Sequence, residues 1–197
     1  MTANRIKLAA LPLFSQKGYE GTALSEIAEQ VGIKKPSIYA HYKNKEALFW
    51  AVVVDMTAAY VERWDAVIQR NQALGVEQQL YGLLEETIRH FTEEPLHIAL
   101  WIRIWLFPPV VLKEELLQRM TDLHKRLEQD VTQIIQRGIE QGEVRTGSAY
   151  DMAFAFLSLM DGYLMRISCY GPGKYATQPI DIWNCFWPGI RKQGQQE

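Results

Sequence analysis

Lys35, Ser37, Ala40 and His41 fall within seven residues, on the exposed side of a short helical segment. A lysine can donate to guanine, a serine hydroxyl to several bases, and an alanine methyl can pack on the methyl of thymine. Together these are the means of reading base edges in the major groove of DNA. Tyr39, Tyr42 and Lys45 stand nearby at spacings suited to phosphates, contacts that position a protein without reading sequence. The charge balance points the same way. Residues 1–45 hold seven basic side chains (Arg5, Lys7, Lys17, Lys34, Lys35, Lys43, Lys45) against three acidic ones, a net +4 within a chain of net −2, so the remainder carries −6. A basic end on an acidic body suggests that the first segment alone meets a polyanion.

Other chemistries are poorly represented. His41, His90, His97 and His124 are scattered. His90 and His97 flank Glu93 and Glu94, but Pro95 breaks the helix that would align them as metal ligands. Cys169 and Cys185 have no paired spacing, and two cysteines are too few for a disulfide framework. No nucleophile elbow, phosphate-binding loop or dinucleotide fingerprint occurs. The expectation is a non-enzyme without metal or cofactor. The alternative is a small all-helical ligand-binding adaptor or enzyme that does not bind DNA.

The elements that must position these residues read as helices throughout. Ile6, Ala9, Ala10, Leu13 and Phe14 repeat at helical spacing up to Gly18, with Pro12 inside predicting a bend or a local cost of about 3 kcal/mol. Leu24, Ile27, Ala28 and Val31 form a second stripe, with Thr22 as cap and Gly32 as stop. Ile33 serves as an apolar plug, and Pro36 opens a third helix. Residues 23–42 thus read as helix, four-residue turn, helix. Longer helices are predicted from Lys45 to about Asn71, Val76 to Phe91, Pro95 to Phe107 and Val111 to Gln141. Two more run from Ser148 to just before Gly171-Pro172-Gly173 and around Ile180–Ile190. No period-2 strand and no repeat is found, so the fold class is all-α.

Residues 5–50 resemble the N-terminal domain of the TetR/AcrR family of bacterial transcriptional repressors. The likeness runs through Ala9-Ala10, Leu13-Phe14, Lys17-Gly18-Tyr19, Thr22, Ile27-Ala28, Gly32-Ile33, Ser37-Ile38-Tyr39, His41-Tyr42 and Lys43-Asn44-Lys45-Glu46-Ala47-Leu48. It implies a three-helix helix-turn-helix domain (1–46) followed by a larger helical-bundle regulatory and dimerisation domain (47–197). It further implies a homodimer on a double-stranded DNA operator, with repression as the default and an unidentified small-molecule inducer as effector. Carried over by position, Thr22 and Ser25 touch the DNA backbone; Lys35, Pro36, Ser37, Tyr39 and His41 belong to the recognition helix; and Lys45 meets a phosphate. Lys34 stands where the family often has a capping serine, which makes it a phosphate candidate instead.

Beyond residue 50 only composition and spacing speak. Trp101 and Trp105 lie one turn apart near His97. With Phe91, Met160 and Tyr163 they are candidates for an apolar ligand pocket, or equally for plain core. Arg103, among them, is left open between burial, exposure and pairing with an acid. The helix from Ser148 is apolar on nearly every side, so a second subunit is expected to cover part of it. Phe154, Leu157, Asp161, Trp183, Phe186 and Trp187 are the candidate dimer contacts. The apolar stretch Ile98–Leu112 is broken by Arg103, Pro108 and Pro109, short of the roughly 20 residues of a membrane span. With no signal-peptide pattern, a cytoplasmic protein with no membrane contact is expected.

Overall fold

A computed structural model describes residues 2–171 and 178–193. Among the described residues nine α-helices follow one another: α1 (Thr2–Gly21), α2 (Leu24–Val31), α3 (Lys35–Tyr39), α4 (Lys45–Asn71), α5 (Val76–Glu93), α6 (Pro95–Leu106), α7 (Lys113–Gln141), α8 (Ala149–Tyr170) and α9 (Pro179–Ile190). A single 3-10 turn, Val110–Leu112, precedes α7. Among the described residues the only β pairing is the isolated bridge between Val144 and Arg191. The fold is all-α. Of the expected loop Gly171-Pro172-Gly173, Pro172 and Gly173 lie outside the described residues.

The chain forms two compact units that do not follow chain order, Met1–Val61 with Glu94–Leu117, and Glu62–Glu93 with Gln118–Glu197. In the first, Ile6, Phe14, Ile27, Ile38 and Leu48 are fully buried. Phe49 sits edge-on to both Phe14 (ring centroids 5.1 Å apart) and Tyr19 (5.2 Å), so one aromatic cluster joins α1 to α4. The break in α1 falls at Gly18 (φ 75, ψ 178); Pro12 lies within the helix, so of the two expectations there the tolerated local cost fits and the bend does not. That backbone region is open only to glycine, so Gly18 decides where the regular helix ends. Leu8 is 63% exposed, which leaves the carbonyl released by Pro12 open to water and keeps its cost local.

In the second unit, Leu80, Leu83, Leu84, Val131, Ile135 and Phe156 form the core. Trp64 is 1% exposed, and its indole N–H donates to Asp130 at 3.1 Å, so the polar tip of a buried ring is satisfied. Ser148 caps α8 as expected, accepting from the Asp151 amide at 3.1 Å. By length and composition α8 is apolar enough to cross a membrane. Nearly half of that apolar window (44%) is buried inside the chain, as befits a core helix.

Candidate nucleic-acid interface

The helix-turn-helix is set by three local devices. Gly32 adopts the left-handed conformation (φ 74, ψ 33), and its amide and that of Ile33 return to carbonyls of α2. The carboxylate of Glu26 accepts from the Ala23 amide at 3.1 Å and so caps the start of α2. A hydrogen bond from Lys17 holds the Glu26 carboxyl below its usual range, keeping it ionised for that task. Ile38, fully buried, pins α3 from beneath. Pro36 occupies the first turn of α3, where its missing N–H costs nothing. Lys34 is the residue before that helix and makes no side-chain cap.

With Ile38 facing in, Lys34, Lys35, Pro36, Ser37, Tyr39, Ala40 and His41 are all exposed together, Tyr39 by 49%, and Ser25 is exposed on α2. These residues form one outward row of donors, methyl groups and an aromatic ring, the composition that base edges and phosphates call for.

Three expected contact residues turn inward. Thr22 is 1% exposed, and its hydroxyl donates to the Gly18 carbonyl at 2.7 Å; it does not cap α2, whose cap position is Ala23. The phenol of Tyr42, half-buried, donates to the Ala3 carbonyl at 3.1 Å, and burial raises its pKa, so it stays a neutral donor. The ammonium of Lys45 donates to the carbonyls of Tyr19 (2.7 Å) and Thr22 (3.2 Å) and lies 4.3 Å from the centre of the Tyr19 ring. For Thr22 and Lys45 the physical reason is shared. Breaking α1 at Gly18 leaves carbonyls in the α1–α2 turn without helical partners, and the nearest donors are drawn to them.

The basic charge of the head is divided in the same way. Arg5 donates to the Val31 carbonyl at 3.0 Å, where a cation suits the end of α2. Lys7 pairs with Asp55, and Lys17 with Glu26. With Lys45 spent internally and Lys17 exposed but paired, the other exposed lysines of the head are Lys34, Lys35 and Lys43.

The candidate pocket residues divide between the two units. In the first, Trp101 is buried edge-on against Tyr60 (centroids 5.8 Å apart), Trp105 is 45% exposed, and His97 is half-buried. In the second, Phe91, Met160 and Tyr163 are buried in the core. A cavity of about 170 Å³ lies within the first unit, between α1 and α6, and its lining includes none of the six.

The dimer candidates need correction too. Trp183 and Trp187 are 2% and 7% exposed and stack on each other with centroids 5.5 Å apart; Trp183 also meets Tyr81 and Phe156 edge-on. They are core of their own subunit, because α9 folds back on α5 and α8. Phe186 and Leu157 are half-buried, while Asp161 and Phe154 (58%) are exposed. The open face of α8 carries Tyr150, Phe154, Ala155, Ser158 and Gly162 at helical spacing, flanked by the exposed Asp151 and Asp161.

Residues 6–52 match the family described as bacterial regulatory proteins, tetR family, and residues 73–164 match the tetracyclin repressor-like C-terminal domain. The chain belongs to the TetR family of bacterial transcriptional regulators, which are DNA-binding proteins and not enzymes. The negative transcriptional regulator IcaR of the icaADBC biofilm operon in Staphylococcus epidermidis is 31% identical over 121 residues. That match covers 60% of this chain and 63% of IcaR, so the chain spans less than two thirds of that relative. The transcriptional repressor AcnR of Corynebacterium efficiens is 24% identical over 170 residues, 86% of this chain and 83% of AcnR. Among solved structures, AibR in complex with isovaleryl coenzyme A and operator DNA superposes with a TM-score of 0.71 at 22% identity. It covers 96% of this chain and 98% of AibR, a likeness of fold.

Proposed function

We propose that this regulator is a cytoplasmic repressor that binds a palindromic operator as a homodimer and is released by a small-molecule inducer. The observation that carries this reading is the outward row Lys34, Lys35, Pro36, Ser37, Tyr39 and His41, held from beneath by the buried Ile38. With Ser25, these are the assigned DNA contacts. Thr22, Tyr42 and Lys45 support the row from inside. Residues 1–46 act as the reading head and 47–197 as the sensing and dimerising part. The exposed stripe of α8 around Phe154 supports a two-fold interface, since an apolar helical face left open on one chain is covered by its copy. A two-fold dimer presents two heads to half-sites about one turn of DNA apart. An inducer fits by comparison with AibR, whose ligand is isovaleryl coenzyme A. An inducer acts through its unequal affinity for DNA-competent and DNA-incompetent states.

The test is selection of the purified protein against random DNA duplexes. Enrichment of a palindrome with half-sites about one turn apart is expected; a folded dimer that enriches no sequence refutes the reading. On the enriched operator, Ser37→Ala or His41→Ala is expected to change the preferred base at one position, by about 1–3 kcal/mol for a good contact. A repeat of the selection with each variant reads this directly.

A further inference from the structure

Gly18 ends the regular part of α1 and leaves the carbonyls of the preceding turn without amide partners further along the helix. Two of them are taken by one side chain far along the chain. Arg103, in the last turn of α6, donates from Nε to the Ser15 carbonyl at 3.1 Å and from Nη2 to the Gln16 carbonyl at 2.9 Å. A planar guanidinium can hold two neighbouring acceptors at once, and its charge complements the negative end of a helix. Gly18 also leaves room for the guanidinium, because a β-carbon there would stand 3.2 Å from Nη1. Two turns earlier on α6, roughly 10 Å along its axis, the Leu96 carbonyl lies 3.0 Å from the buried Ser15 hydroxyl, which it shares with the Leu11 carbonyl of α1 at 2.7 Å. All of these contacts meet α1 at Ser15 and Gln16, so α6 holds the head helix by its end just before the break at Gly18. Apolar packing beside these contacts is incomplete, for the cavity of about 170 Å³ opens there among Phe14, Phe49, Leu100 and Phe107.

We infer that Arg103 is a positioning residue that sets the orientation of the reading head, and through it the half-site spacing the dimer accepts. The inference rests on the dimeric operator reading above. Arg103 grips the α1 end opposite the basic row by chemistry, spending its charge on carbonyls, so its loss acts on geometry and not on phosphate contacts.

The experiment measures binding of wild-type, Arg103→Ala and Arg103→Lys dimers to the selected palindrome and to versions with one base pair added or removed between half-sites. Each added pair moves one half-site by about a tenth of a helical turn. Wild type is expected to bind the best spacing and to fall steeply on either side. Arg103→Ala is expected to lose about tenfold on the best spacing, since a loosely held head forfeits pre-organisation. It is also expected to show a flattened spacing profile and an unchanged salt slope. Arg103→Lys, which can still reach carbonyls as a point charge, is expected to restore most of the steepness. Melting curves of each variant confirm that the head is folded, and the lysine variant carries the test if the alanine one is not. A spacing profile of Arg103→Ala as steep as wild type, or a lysine variant no better than alanine, overturns the inference. A wild-type protein indifferent to spacing overturns the dimeric operator reading and this inference with it.

Discussion

Phe154→Arg is expected to convert the protein to a monomer and to lower affinity for the palindromic operator by a factor of about 10²–10⁴, with each head still folded. Phe154 is 58% exposed at the centre of the open α8 stripe, between Tyr150 and the small residues Ala155, Ser158 and Gly162. Across a two-fold axis the substitution replaces two apposed rings by two arginines, like charges whose burial costs several kcal/mol per ion even with the exposed Asp151 one turn away. The operator loss follows because the second head no longer binds as part of one molecule, and linked sites gain about that factor over separate ones. Sedimentation of the variant beside wild type, followed by binding to whole and half operators, checks both parts. A dimeric variant with full operator affinity refutes the placement of the interface.

Lys45→Met is expected to lower the melting temperature of the protein while leaving the slope of log affinity against log salt unchanged. A lysine on a phosphate would do the reverse, leaving stability intact and reducing the slope by about 1. The structure favours the first outcome because the ammonium already serves two carbonyls and the face of Tyr19. Charge-assisted bonds to carbonyls contribute about 1.5–3 kcal/mol each when buried. Lys45 is only half-buried, so about 1–2 kcal/mol in total is the expected loss after solvent screening. Thermal unfolding and a salt titration on the same sample separate the two roles.

These two variants mark where the amino-acid order was legible and where it was not. Helical periodicity placed α4 at Lys45–Asn71 and α6 from Pro95. Apolar spacing reports which face a helix buries, and Gly and Pro report where it stops. The same spacing does not report what covers a buried face. Trp183 and Trp187 were therefore expected at the dimer interface, whereas α9 packs them into its own subunit. Polar residues at the site failed in the opposite sense. Thr22, Tyr42 and Lys45 are all types that bind phosphate, and each is recruited by a carbonyl of its own chain. The backbone break at Gly18 creates much of that demand, and proline, the louder signal, draws the expectation of a bend to Pro12 instead. Arg103 was left open among three environments, none of which was a pair of backbone carbonyls 88 and 87 residues away.

The division of cations within the head bears on how the protein finds its site. Arg5, Lys7, Lys17 and Lys45 are all engaged by the chain itself, although Arg5 and Lys17 remain exposed, and Lys34, Lys35 and Lys43 are the other exposed lysines of the head. Attraction to random duplex depends on how many outward cations displace counterions. A head that spends part of its positive charge on its own carbonyls and carboxylates holds random sequence less tightly and leaves it sooner. Time otherwise lost in sliding over the wrong DNA is spent instead in free diffusion between encounters, and recognition leans on base edges for its residence at the right one.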